Sequence, residues 1–381
     1  MSVEGWFWGW TLLAFVWWCS AFWLVKQKKM GVSENAKGKK FEFLTIFKPV
    51  PLIFDYQNVA RIEKALASFC SQLDEGCEVL LGFWESERKL WQPILEQWAL
   101  TFSHVWKQVK IVWRTEPDLF PNPKISWQRI LSAHAQGEWW LWSDADVIAP
   151  PGFMKKAREE FAQGEGRLLT HAYVIRRFNS VPAMLETLFV NVELFPGIMA
   201  LARKKKKDLG FGASLFFHGD AAKNSIFWET LGCALADDFI LGKLLNSTQV
   251  GQVVLETTAE EKKWQAALLH YLRWQKTIRW CQPAGFAAQL VIFPLLGWFI
   301  FLGISQKWAV GLLGILITLL MEFIFAKILC RKVNCIMLWR HSWGIVAWSL
   351  IRAMGWLICW LPWPVKWGRK KWWKNKIAQV V

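Results

Sequence analysis

Apolar runs of membrane-spanning length lie towards both ends of this chain, with a long polar stretch between them. That pattern limits what the chain can fold into more than any other feature. Residues 5–25 carry no charge, and at 1.5 Å per residue such a run crosses roughly 30 Å of hydrocarbon. It has no basic segment before it and no A-x-A cleavage site, so a retained anchor is expected rather than a signal peptide. Lys26, Lys28, Lys29, Lys37, Lys39 and Lys40 follow it, whereas only Glu4 precedes it. By the positive-inside rule the N-terminus then lies outside and the next domain in the cytosol.

Two further spans are expected over residues 284–303 and 308–329, joined by a short loop, with Arg331 and Lys332 marking the return to the cytosolic side. Glu322, inside the second of them, is costly in lipid and requires a polar partner. Residues 336–361 are also apolar but hold Arg340, His341 and Arg352, and Lys366, Arg369, Lys370, Lys371, Lys374 and Lys376 follow. A fourth crossing would put that basic tail outside, so interfacial or re-entrant helices are expected instead. The expected organisation is an anchor over 1–30, a cytosolic domain over 41–260, an amphipathic interfacial helix over 261–283, a transmembrane pair over 284–330, and interfacial helices with a basic tail over 335–381. This describes a multi-pass integral membrane protein.

A net charge of +16 suits either nucleic acid or an anionic membrane surface. The apolar spans favour an anionic lipid bilayer, and the basic run Arg203 to Lys207 has no aromatic-interleaved scaffold behind it, so no nucleic-acid partner is expected. Thirty Trp stand against three Tyr, a bias that fits either an interfacial indole belt or lineage composition. The eight Cys show no C-x-x-C spacing and read as reduced and structural.

The middle of the chain alternates strand-like and helical patterns. Apolar runs at residues 43–47, 78–83, 109–113 and 139–143 read as strands, with helical periodicity at 58–70 and 125–134. An α/β fold with a parallel sheet and crossover helices is the economical solution. Ligands of such sheets bind beyond the carboxyl ends of the strands. Asp144 and Asp146 stand at one such end, where they serve either as hard oxygen donors for Mg²⁺ or Mn²⁺ beside a diphosphate, or as a capped, solvated turn. Asp237 and Asp238 open an apolar helical run, where Asp238 is either a helix cap or a general base. His270, Arg273 and Trp274 share one helical turn ahead of the second span. There Arg273 suits a departing phosphate and Trp274 suits a sugar or acceptor face, unless the group is simply an interfacial belt. Lys124, after Asn122 and Pro123, suits a phosphate or a surface turn.

Taken in order, Lys48-Pro49, Ala67 to Cys70, Asn122 to Ile125, Asp144 with Asp146, Ala236-Asp237-Asp238, His270 to Trp274 and Val365 to Lys370 resemble the ceramide glucosyltransferase-like family. This family of inverting, GT-A-fold glycosyltransferases includes ceramide- and hopanoid-directed members. The resemblance covers nearly the whole chain. It implies a GT-A nucleotide-sugar-binding domain inserted between transmembrane helices, transferring one glucose or N-acetylglucosamine from a UDP-sugar donor to the hydroxyl of a membrane lipid acceptor, ceramide or hopanoid. By the resemblance Asp144 and Asp146 bind the metal and diphosphate, Asp238 is the base assisted by Asp237, and Arg273 and Trp274 belong to the closing motif with His270. Lys48, Glu85 and Lys124 contact the donor. Glu85 stands where the family usually has Asp, and His270 where processive synthases have Gln, which speaks against a polymerase. The alternatives are a catalytically silent nucleotide-sugar or lipid-binding membrane protein and a processive polysaccharide synthase.

Overall fold

A computed structural model describes residues 2–26, 43–52, 56–204, 206–259, 263–335, 337, 341–367 and 370–373. Of the basic positions named above, Lys28, Lys29, Lys37, Lys39, Lys40, Lys205, Arg340, Arg369, Lys374 and Lys376 lie outside the described residues.

After the apolar helix α1 (Val3–Lys26), four β-strands alternate with helices: β1 (Leu44–Pro49), α2 (Tyr56–Cys70), β2 (Cys77–Trp84), α3 (Arg88–Thr101), β3 (Val109–Arg114), α4 (Pro123–Ser132) and β4 (Trp139–Trp142). These strands are the four apolar runs legible in the sequence, and they pair in parallel in the order β3-β2-β1-β4. Then come α5 (Phe153–Gln163), β5 (Leu168–Thr170), β6 (Tyr173–Ile175), α6 (Val181–Leu188), α7 (Phe195–Arg203), β7 (Leu215–His218), α8 (Ser225–Gly232), α9 (Asp237–Leu245), β8 (Thr248–Val250) and β9 (Leu255–Thr257). β7 joins the sheet antiparallel to β4, and β5 and β8 extend it. β6 and β9 form a separate parallel pair. The fold is mixed α/β around a parallel-dominated central sheet.

The sheet is covered on both faces, which is why its central strands are buried along their length and mostly apolar rather than alternating. Ile46, Val79, Leu81 and Phe83 pack on one side with Phe69, Trp91 and Phe153. Phe47, Leu80, Trp142 and Phe217 pack on the other with Trp127, Trp228 and Leu241. Each such side chain contributes about 1.5–3 kcal/mol by leaving water. Because β1 leads outward to β2 and β3 while β4 lies on its other side, the strand order reverses between β1 and β4. The crevice beyond the carboxyl ends of those two strands is where a sheet of this kind binds its ligand.

The C-terminal third contains α10 (Trp264–Cys281), α11 (Pro283–Ala288), α12 (Pro294–Ile304), α13 (Trp308–Lys332), α14 (Trp343–Ile358) and a hairpin of β10 (Val365–Trp367) and β11 (Lys370–Trp372). Among the described residues, three helices are long and apolar enough to cross a membrane: Val3–Val25, Val181–Arg203 and Trp308–Lys332. The second of these includes α6 and α7, joined by a π-helical turn at Phe189–Leu194, and falls inside the stretch the sequence assigns to the cytosolic domain. Its apolar side chains meet Trp18 and Val25 of α1 and Met321, Ala326 and Leu329 of α13. α14 has 16 residues, short for a crossing.

Over residues 284–303, where the sequence suggests one continuous span, the chain is broken. Pro283–Ile292 and Pro294–Ile304 meet at 64°. Pro294 has no N–H to donate, so the carbonyls before it need other partners. Trp10 Nε1 donates to the Leu290 and Val291 carbonyls, both at 3.1 Å, and Arg352 donates to that of Ile292 at 3.0 Å. Glu322 finds its polar partner in the same Arg352, which also lies 3.7 Å from Glu193. Lys307 pairs with Glu4 at the start of α1, while Arg203 and Lys332 lie over Trp23 and Phe22 at its other end. Lys26, Arg203, Arg331 and Lys332 thus gather at the end of the bundle that meets the α/β domain.

Candidate active site

The switch point between β1 and β4 is tied together by Lys48. Its fully buried ammonium donates to Ser143 Oγ at 3.1 Å and to the carbonyls of Asp144 and Val147 at 2.6 and 3.2 Å, and lies 3.8 Å from the Phe69 ring centre. Burial pulls its pKa down to about 7 against the opposing pull of Asp146 and Asp144. All three ammonium hydrogens are accounted for by protein acceptors, so Lys48 holds the Asp144–Val147 turn in place.

Asp144 and Asp146 leave that turn in different directions. Asp144 Oδ1 takes Lys124 Nζ at 2.7 Å, and Lys124 Nζ also lies 3.3 Å from Asp237 Oδ2. Asp146 Oδ2 instead accepts from Arg61 Nη1 at 3.3 Å and Thr257 Oγ1 at 3.1 Å. Lys124 is delivered by a capped helix start: Asn122 Oδ1 accepts from the Lys124 and Ile125 amides at 2.9 and 3.2 Å, and Pro123 occupies the first turn, where its missing N–H costs nothing. Asn122 Nδ2 reaches the Ala234 carbonyl at 3.0 Å and Asp237 Oδ1 at 3.3 Å, which fixes the start of α4 to the start of α9.

Asp238 does not cap its helix in the usual way. Its Oδ2 accepts from the Gly212 amide at 2.8 Å, and its Oδ1 accepts from the Phe239 amide at 2.8 Å. A side chain at Gly212 would begin 3.2 Å from Asp144 Oδ2, 3.4 Å from Asp238 Oδ2 and 3.4 Å from Lys124 Nζ. The two carboxylates and the ammonium therefore converge on one point, kept open by the absence of a Cβ. Gly210 is under a tighter constraint, since a Cβ there would lie 2.0 Å from the Asp238 carbonyl oxygen. Burial and the Asp237 charge raise the Asp238 pKa to about 6, with Lys124 opposing them. Burial works to lower the Lys124 pKa, but Asp144, Asp237 and Asp238 outweigh it and hold the ammonium charged.

Tyr173, which no sequence motif marks, lies in the field of this cluster. Burial raises its phenol pKa, and Asp144, Glu186, Asp146 and Asp238 raise it further. β6 brings it there by pairing with β9, whose Thr257 holds Asp146. On its far side Tyr173 shares an apolar cluster with Phe189 and Trp274. Trp274 packs at 5.2 Å between ring centres on Phe189 and at 4.3 Å on His270, and His270 Nδ1 lies 3.7 Å from Glu186 Oε1. Asp144, Asp237, Asp238 and Lys124 therefore come together, while His270 packs on Trp274, which shares an apolar cluster with Tyr173 and Phe189. Arg273 shares their turn of α10. Glu85 follows β2 and is occupied by Arg88, at 2.6 and 2.7 Å.

Asp144 and Asp146 are hard oxygen donors suited to Mg²⁺ or Mn²⁺. Among the described residues no three acidic, histidine or cysteine side chains are grouped to hold an ion. The donor set fits an ion held by one or two carboxylates and completed by substrate phosphates, which is how Mg²⁺ usually binds.

The parallel-dominated sheet, with Asp144 and Asp146 just beyond β4 where the strand order reverses, is GT-A-like in fold. The family model for Glycosyl transferase family 21 matches residues 8–380, and the chain belongs to that family. No curated protein matches it. Among solved structures, the mannosyltransferase PcManGT from Pyrobaculum calidifontis, in complex with GDP-Man and Mn²⁺, is similar at a TM-score of 0.50 and 16% identity, over 93% of this chain and 99% of its own. S. aureus TarS in complex with UDP-GlcNAc has a TM-score of 0.38 at 13% identity, over 87% of this chain and 98% of its own. Glucosyl-3-phosphoglycerate synthase from Mycobacterium tuberculosis, in complex with Mn²⁺ and UDP-glucose, has a TM-score of 0.37 at 15% identity, over 66% and 83%. At these identities the likeness is one of fold. Glycosyl transfer is the function that family membership supports.

Proposed function

We propose that this protein transfers a single sugar, glucose or N-acetylglucosamine, from a UDP-sugar to the hydroxyl of a membrane lipid, ceramide or a hopanoid, with inversion at the sugar carbon. The observation that carries this reading is the convergence of Asp144, Asp238 and Lys124 beside Gly212, at the end of the sheet that adjoins the apolar helices. Asp238 takes the proton from the acceptor hydroxyl, and its raised pKa keeps it basic enough to do so near neutrality. The Gly212 and Phe239 amides position it, and Asn122 holds the neighbouring Asp237. Lys124 offers a charged ammonium to the diphosphate and would exchange its contact with Asp144 for one with phosphate. Asp144 and Asp146 would hold a divalent cation, as Mn²⁺ accompanies GDP-Man in the Pyrobaculum calidifontis mannosyltransferase; when bound, such an ion neutralises charge on the departing diphosphate. Arg273 takes part in holding the departing UDP, and Trp274 presents an aromatic face to the acceptor.

The membrane-length helices account for the acceptor class, because a catalytic domain seated on an apolar bundle meets its lipid without extracting it. The gathering of Lys26, Arg203, Arg331 and Lys332 at the domain end of that bundle supports a cytosolic active site. Asp238→Asn tests the base directly. Transfer should fall below detection while UDP-sugar affinity stays within a few-fold, since a base serves the chemistry and contributes little to donor binding. Donor binding lost in parallel would remove Asp238 from that role.

A further inference from the structure

Glu160, His171 and Ser214 form a buried polar array that no step of the proposed chemistry uses. His171 follows β5 and is fully buried, with Nδ1 3.0 Å from Ser214 Oγ and Nε2 3.3 Å from Glu160 Oε2. Glu160 reaches it from α5, and its Oε2 also accepts from the Gln252 amide at 3.1 Å. A carboxylate beside Nε2 favours the tautomer protonated there, which leaves Nδ1 to accept from the Ser214 hydroxyl. The space is closed: a Cβ at Gly251 would lie 2.3 Å from His171 Nε2 and 2.4 Å from Glu160 Oε2. Ser214 is fully buried as well, so the array does not meet a substrate, and its effect falls on the backbone to which Ser214 belongs. That backbone, residues 211–214 ahead of β7, is anchored at three points. Thr170 Oγ1 accepts from the Phe211 amide at 3.0 Å and donates to the Phe211 carbonyl at 3.1 Å. Ser143 Oγ donates to the Ala213 carbonyl at 2.8 Å and accepts from Lys48 at 3.1 Å. His171 holds Ser214 itself. Between these anchors lies Gly212, whose amide donates to Asp238 Oδ2 at 2.8 Å. The other Asp238 oxygen accepts from Phe239 in its own helix, so the Gly212 amide is what ties the carboxylate to the sheet.

We propose that His171, braced by Glu160, is a positioning residue for the transfer step: through Ser214 it fixes the Gly212 amide, which aims the Asp238 carboxylate at the acceptor hydroxyl. The inference rests on the reading of Asp238 as the base and adds the residues that hold that base in place. A catalytic group misplaced by about 1 Å loses on the order of a hundredfold in rate. Donor binding draws on Lys124 and Asp144, on the other side of the cluster, and does not depend on the aim of Asp238. Buried polar arrays of this kind hold one geometry when every member is satisfied and loosen when one partner is removed.

The test compares wild type with Ser214→Ala, His171→Asn and His171→Gln in mixed micelles, each given UDP-glucose or UDP-N-acetylglucosamine with ceramide, diacylglycerol or a hopanoid acceptor. An Asn amide stands where Nδ1 was and still meets Ser214, whereas a Gln amide reaches towards Glu160 and leaves Ser214 unmet. In Ser214→Ala and His171→Gln, kcat should fall about tenfold to a hundredfold. Donor KM and UDP affinity should stay within about threefold, which also shows that the variants are folded. His171→Asn should keep kcat within about threefold of wild type. A merely structural role would lower UDP-binding capacity and kcat in the same proportion in all three variants. An unchanged kcat in Ser214→Ala, a parallel loss of UDP binding, or an Asn variant as slow as the Gln variant overturns the inference. Where the His171 variants do not fold, Ser214→Ala decides alone. If wild type transfers sugar to a lipid and Ser214→Ala matches it, only this inference falls. If wild type transfers sugar to no lipid, the proposed function falls and this inference falls with it.

Discussion

The acid limb of the pH–rate profile should belong to Asp238, and two neighbouring substitutions should move it in opposite directions. Its pKa of about 6, against 3.8 for an ordinary aspartate, arises from burial first and the Asp237 charge second, with Lys124 pulling the other way. At about 1.4 kcal/mol per tenfold, the environment disfavours the carboxylate by roughly 3 kcal/mol. A base with that pKa is roughly nine-tenths ionised at pH 7 and about one-tenth at pH 5, so kcat/KM should fall about tenfold per pH unit below 6. Asp237→Asn removes a like charge and should shift the limb about one pH unit down. Lys124→Gln removes a cation placed among Asp144, Asp237 and Asp238 and should shift it up by at least as much. The assay is UDP release across pH 4.5–8.5 with each profile scaled to its own plateau, so that changes in donor affinity do not obscure the midpoint. Identical midpoints in all three proteins, or shifts of the same sign, would refute the assignment of the base.

Two further substitutions probe the scaffold. Gly210→Ala would press a methyl group against the Asp238 carbonyl at 2.0 Å, whereas Gly212→Ala meets only side-chain ends at 3.2–3.4 Å. Gly210→Ala should therefore lower both Tm and activity, and Gly212→Ala should lower activity about a hundredfold with Tm nearly unchanged, because it fills the point where substrate atoms must sit. Equal Tm values for the two would contradict this. Arg352→Leu leaves Glu322 and Glu193 buried without their cation and takes a donor from the Ile292 carbonyl at the helix break. It should cost about 3–5 kcal/mol, read as a lower Tm in detergent, and a loss under about 1 kcal/mol would show that the triad is not needed to hold the bundle.

Much of the α/β half was legible because its signals are local. Four short, mainly apolar runs became β1 to β4, and Asp144 follows β4 within two residues, at the strand end where a ligand is expected. Asp237 and Asp238 were legible as the start of α9. The remainder depends on contacts distant in sequence. β5, β6, β8 and β9 have three residues each, too few to show a period, yet β6 and β9 bring Tyr173 and Thr257 to the cluster. Arg61 looks like any polar residue of an amphipathic helix until Asp146 and the Thr258 carbonyl appear beside it. The apolar run Val181–Arg203 reads equally as a core helix or a span, and Glu186 and Glu193 within it acquire meaning only from His270 and Arg352. The bend at Pro294 has a sequence signal in the proline itself, but its tolerance depends on Trp10 and Arg352.

The most direct measurement is UDP release by the purified protein in detergent, with UDP-glucose and UDP-N-acetylglucosamine crossed against ceramide, diacylglycerol and hopanoid acceptors in the presence of Mg²⁺ or Mn²⁺. Release should require one hydroxyl lipid, yield a product carrying a single sugar of inverted configuration, and disappear in Asp238→Asn. UDP binding without release for every pair, or an extended polysaccharide product, would contradict the proposed function.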